Sequence, residues 1–150
     1  MATRNIRLNE DEMLRKKSRN VEKIDARICE ILNDMAETMY QAKGAGLAAC
    51  QIGILRRLVV LDVGEGLIKM VNPEIVTQEG SREVVEGCLS FPDVWGKVIR
   101  PEKVTVRALN EKGEEIMLEG EDLLAKCLCH EIDHLEGIVF TDKVIEYVDE

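Results

Sequence analysis

Apolar residues along this chain change their period twice. Residues 1–20 are mostly charged, and Asp11 is placed to cap a short helix running through Leu14. From Val21 onward, Ile24, Ile28, Ile31, Met35 and Met39 recur at steps of three and four, with Glu30, Asp34 and Glu37 between them. That spacing predicts an amphipathic helix of roughly five turns that stops near Gly44. The middle of the chain loses this period. RLVVLDV (57–63), LIKMVNPEIV (67–76) and VIRPEKVTVRAL (98–109) read as strands, punctuated by Gly64-Glu65-Gly66, Asn72-Pro73 and Arg100-Pro101. A turn at 110–113 leads into a further short strand, Glu115–Leu118. Residues 121–136 return to helical spacing: Leu123, Leu124, Cys127, Leu128, Ile132 and Leu135 form an apolar stripe, and Gly137 closes it. Helices, then strands, then a helix predict an α+β fold. The expected architecture is mostly antiparallel or mixed sheets around the late helix, with helices at the N-terminus. No repeat or linker interrupts it, so residues 1–150 read as a single domain.

Composition narrows the function classes. A 45% hydrophobic content is enough for a core and excludes a disordered chain. No run of about 18 apolar residues is present, so no spanning helix is expected. The first residues carry no apolar stretch of signal-peptide type. A net charge of −9 and 3% aromatics argue against direct nucleic-acid binding. The five cysteines, Cys29, Cys50, Cys88, Cys127 and Cys129, are odd in number and form no CxxC pair. They read as reduced thiols, which suits a cytoplasmic protein with no membrane partner. The acidic run Glu111, Glu114, Glu115, Glu119, Glu121 and Asp122 lacks calcium-loop spacing and reads as a solvated hairpin edge.

The chemistry lies in the two histidines. His130 and His134 are the only ones, and both fall in HEIDH. Four residues apart on a helix, they share one face, about 6 Å apart in rise, and can reach one divalent cation. Glu131 between them is placed as a general base rather than a ligand. A catalytic centre needs a third protein ligand. Phe140 occupies the downstream position where a third histidine would stand, and Glu146 lies outside familiar spacing. Cys127 lies on the ligand face, but seven residues separate it from His134, about 10.5 Å of rise, which is too far for a shared ion. Cys129 points about 100° away from His130. Cys88, in VVEGCLSFP beside Gly87, is the best-placed thiolate; Cys29 and Cys50 stay open on spacing alone.

Three strings then carry a resemblance: GAGLAACQ (44–51), EGCLS (86–90) and HEIDHLEG (130–137). In this order and separation they resemble the peptide deformylase family, which removes the formyl group from the N-terminal formylmethionine of new bacterial proteins. DEMLRKKS, DMAETMY and NPEI fit the same resemblance, which spans nearly the whole chain. It implies Cys88, His130 and His134 as metal ligands and Glu131 as general acid and base. It implies that the Gln51 amide and the Leu89 N–H serve the oxygen of the tetrahedral intermediate. Ala45 and Gly46 would lie beside the substrate backbone. Glu86 would sit at the substrate site, with Arg100 as its partner. Val84, Leu89, Leu123 and Cys127 would wall a slot for the methionine side chain, with the peptide beyond it along a strand edge. The expected cofactor is one divalent metal, Fe²⁺ by resemblance, with Zn²⁺, Ni²⁺ or Co²⁺ able to occupy the same donors.

The expected partners are N-formylmethionyl peptides and nascent chains, and the ribosome only transiently. The chain ends at Glu150 without the longer tail of some members, so docking through a tail is not assumed. Cys129 stands where the family usually has glutamine, and Cys50 where it often has proline. A zinc peptidase would leave GAGLAACQ and EGCLS unexplained. A non-enzymatic relative would lack Glu131 or Gln51, and both are present. A dinucleotide site at Gly44 and Gly46 would need a preceding strand, where a helix is expected.

Overall fold

The computed structural model describes residues 2–149. After a short 3-10 helix at Glu12–Arg15 come α1 (Ala26–Gln41), β1 (Gly46–Ala48) and a second 3-10 helix at Ala49–Ile52. β2 (Leu58–Leu61), β3 (Ile68–Glu79), β4 (Arg82–Cys88), β5 (Phe91–Arg100), β6 (Lys103–Leu109) and β7 (Glu115–Glu121) follow. α2 (Asp122–Leu135), a 3-10 turn at Phe140–Asp142 and β8 (Glu146–Val148) complete the chain. The fold is α+β, as expected.

The strands form a five-stranded sheet in the order β1-β2-β3-β6-β7 and a three-stranded sheet in the order β4-β5-β8. All of these pairings are antiparallel. β2 explains why the larger sheet is apolar on both sides. Val59 and Leu61 join the core against α2, while Leu58 and Val60 join the core against α1. A strand buried on both faces reads as a continuous apolar run, and LVVL does.

Several elements differ from expectation. Asp11 does cap the first helix, accepting the Met13 N–H. α1 begins five residues later than Val21, because Val21 is held elsewhere: it exchanges two hydrogen bonds with the Asn72 side chain, at 2.8 and 2.9 Å. Asp25 caps α1 instead, accepting the Ile28 N–H at 3.0 Å. Past the helix end, Lys43 rather than Gly44 adopts the left-handed backbone, at φ +59. β3 runs straight through Asn72-Pro73, its register shifting between Val71 and Glu74, so proline sits at an irregularity where no ladder bond is lost. Arg100-Pro101 divides residues 98–109 more completely than expected: β5 and β6 belong to different sheets. β1 and β8 were not anticipated as strands. The stripe of α2 is buried except at its start, where Leu123 is 49% exposed.

Candidate metal centre and active site

α2 lies between the larger sheet and the β4–β5 hairpin. One flank packs Ala125, Leu128 and Leu135 into the sheet core. The other flank meets the hairpin through charge. Glu86 on β4 takes two hydrogen bonds from Arg100 on β5, at 2.6 and 2.8 Å. Arg100 also reaches Asp133 on α2 at 2.8 Å. His130 donates its Nδ1–H to the same Glu86 carboxylate at 2.8 Å. Burial alone would raise the Glu86 carboxyl; the bonds from Arg100 and His130 outweigh it and bring it to about 2. Burial pulls Arg100 the other way, and Glu86 and Asp133 overcome that too.

This network fixes the tautomer of His130. With Nδ1 spent on a carboxylate, Nε2 is left with its lone pair facing away from Glu86. His134, fully buried one turn on, brings Nε2 to 3.4 Å from Cys88 Sγ. Burial holds His134 well below the ordinary imidazole range, and the nearby Arg100 guanidinium adds to the shift. One donor atom from each of Cys88, His130 and His134 lies within 4.8 Å of the others. A thiolate with two imidazoles is a donor set for a first-row divalent metal. The chemistry of the donor set carries that fit, and Glu131 Oε1, buried beside it, has no hydrogen-bond partner among the described residues. Cys127, Cys29 and Cys50 lie outside this group.

A cleft of about 470 Å³ opens beside these donors. Gln51, Glu86, Cys88, His130 and Glu131 border it, as do Ala45, Gly46, Leu89, Leu123 and Cys127. Burial lifts the Glu131 carboxyl to about 7; His130 and Arg100 oppose that rise, and Glu86 and Asp133 add to it. Gly46 is where β1 comes closest to Glu131. A Cβ there would stand 2.7 Å from Glu131 Oε2, closer than real Cβ atoms pack, and 3.0 Å from Cys127 Sγ, a tight contact. Gln51 is 1% exposed. Its Oε1 accepts the Ala48 N–H at 2.9 Å, which turns Nε2 toward Ser90 Oγ (3.1 Å) and Cys88 Sγ (3.6 Å).

Most of the anticipated residues thus meet at one place, with two changes. Val84 pairs with Val98 farther along β4 and does not line the cleft. Strand geometry puts it about 6–7 Å of chain beyond Glu86, too far along to wall a slot at the metal. Glu86 borders the cleft, but its carboxylate is buried and occupied, so it holds His130 instead of facing a substrate. Gly87 admits the Trp95 ring: a Cβ there would fall 2.6 Å from it. Cys129 packs in the core with its thiol raised to about 11 by burial. Cys50 lies 3.5 Å from the His134 carbonyl, its thiol raised to about 12 by burial. Ser90, Asp133, Trp95, Lys43 and Lys126 are additions that sequence reasoning did not supply. Asp133 carried a readable signal, since it lies three residues after His130 and so shares its side of the helix.

The geometry can be set beside known proteins. A family model described as polypeptide deformylase matches residues 3–149. Peptide deformylase 2 of Clostridium acetobutylicum is 62% identical over 149 residues, which is 99% of this chain and 99% of that protein. The peptide deformylase of Caldicellulosiruptor bescii is 61% identical over 150 residues, all of this chain and 90% of that protein. The crystal structure of a peptide deformylase from Legionella pneumophila superposes with a TM-score of 0.92 at 48% identity, over 95% of this chain and 86% of that one. The cysteine–histidine–histidine group, the adjoining glutamate and these likenesses agree: the chain belongs to the polypeptide deformylase family, metalloenzymes that remove the formyl group from the N-terminal methionine of nascent proteins.

Proposed function

We propose that the cleft residues divide the deformylation among themselves as follows. Cys88, His130 and His134 hold one divalent ion, and Glu86 keeps His130 in its ligating tautomer. When bound, the ion acts as a Lewis acid and makes water nucleophilic near neutral pH. Glu131 takes the proton of the water that attacks the formyl carbon. It then delivers that proton to the departing amine as the C–N bond breaks, leaving formate and a free N-terminus. The Gln51 Nε2–H and the Leu89 N–H donate to the oxygen on which charge grows; one such donor is typically worth about 3–4 kcal/mol of barrier. Ser90 and the Ala48 N–H keep the Gln51 amide turned that way. Leu123 and Cys127 wall the methionine slot, and Ala45 and Gly46 lie beside the substrate backbone.

The observation that carries this reading is the convergence of three ligand-type atoms within 4.8 Å beside the buried Glu131. The donor set and the family favour Fe²⁺, with Zn²⁺, Ni²⁺ and Co²⁺ as substitutes. Residues 1–150 act as one catalytic domain, since β2 is a wall of both cores. Its place of work is the cytoplasm, where formylated nascent chains arise; no described helix is long and apolar enough to cross a membrane. Any contact with the ribosome is transient.

The test is formate release from formyl-Met-Ala-Ser by anaerobic protein loaded with Fe²⁺, with metal content measured on the same sample. Turnover is expected in the parent. Cys88→Ser should lose metal and turnover together, and Cys127→Ser should keep its metal. Metal retained in Cys88→Ser and lost in Cys127→Ser would overturn the ligand set.

A further inference from the structure

We propose that Lys126, with Lys43 in the lining of the same cleft, makes this deformylase favour substrates with an acidic side chain directly after the methionine. The inference rests on the reading of the cleft given above. Both lysines line the cleft, and neither has a carboxylate within 4 Å among the described residues. Lys126 lies on α2 one turn before His130, about 6 Å of rise from it. Its ammonium donates to the Val85 carbonyl at 3.1 Å. Val85 is on β4, whose one strand neighbour is β5, so β4 keeps an open edge on the side of α2. Cys88 ends that strand. An extended peptide leaving the reaction centre along β4 therefore passes Glu86 and then meets the Lys126 ammonium. The carbonyl that would continue the pairing is already taken there, so what the site offers the next residue is charge.

Lys43 supports the same reading. It holds a left-handed backbone at φ +59, a conformation that glycine or asparagine adopts more readily, and it is an exposed cation in the cleft lining. The facing negative groups are few. The Glu86 charge is consumed by Arg100 and His130. Glu131 is buried, and the exposed Asp93 is the one other carboxylate among the described residues that line the cleft. The chain as a whole carries −9, so these two lysines are the cations that an anionic side chain in the cleft can meet.

The experiment compares kcat/KM for formyl-Met-Asp-Ser and formyl-Met-Asn-Ser, side chains of equal size that differ in charge. At low salt the aspartate peptide should be favoured about three- to fivefold, mainly through KM, as for a rim charge pair. In about 0.5 M NaCl the ratio should fall toward one. It should also fall toward one in the double variant Lys43→Gln/Lys126→Gln and persist in Lys126→Arg, which separates lost charge from lost folding. A ratio at or below one in the parent, a ratio that rises with salt, or one retained by the double variant would overturn the proposal. Formate from both peptides at equal efficiency counts against this inference alone; formate from neither counts against the assigned activity.

Discussion

Two buried regions of this molecule obey opposite rules. At β2 every side chain is apolar and fully buried, with alternate residues feeding the cores against α1 and α2. Behind His130 the burial is as deep, with Glu86 and Arg100 both 2% exposed, but the groups are charged. The first region stabilises: a fully buried leucine or valine is worth about 1.5–3 kcal/mol over an exposed one. The second contributes little net, because desolvation offsets most of what a buried ion pair gains. What it supplies is direction, since it keeps the His130 imidazole beside Cys88 and His134. A region can therefore be well packed for geometry and not for stability, and the two can be separated by substitution.

The largest effect is expected at Glu131, a buried carboxylate that belongs to neither region. Glu131→Gln should lower kcat by about 10²–10⁴-fold with metal content unchanged, measured by formate release and metal analysis. Retained turnover would remove Glu131 from proton transfer. Next comes Glu86→Ala, which strands Arg100 and frees the His130 ring. It should cost about 3–5 kcal/mol in denaturant unfolding of the metal-free protein. Metal affinity should also fall about 10–100-fold. If stability falls while metal affinity holds, the network is structural only and the contrast collapses. The smallest effect falls on Leu128→Ala in the apolar region, about 2–5 kcal/mol in the same unfolding measurement. Its metal affinity should match the parent, and a tenfold loss there would show that the two regions are not separable.

The sequence showed the apolar region more readily than the charged one. The stripe of α2 and the run at β2 announce themselves through period and composition, because burial there asks only for apolar residues at the right spacing. β4 was harder, since REVVEGC mixes charged and apolar positions and one face serves the site rather than a core. β8 is three residues long and is held by pairing with Trp95–Lys97, a partner invisible from its own residues. At the site, HEIDH was legible because helical spacing alone places both imidazoles and the glutamate. Cys88 needed both the local string and the family resemblance. Ser90 and Lys126 could not be read, since their partners Gln51 and Val85 lie 39 and 41 residues away and only the fold brings them together.

The close approach of Gly46 to Glu131 ties two distant positions together. While a carboxylate occupies 131, a side chain at 46 has nowhere to go. Shortening residue 131 would remove the 2.7 Å approach, but Cys127 Sγ at 3.0 Å would still confine position 46 to a small side chain. The glycine of the first motif is therefore held by two residues of the last helix at once, and relief of both is needed before a larger side chain fits there.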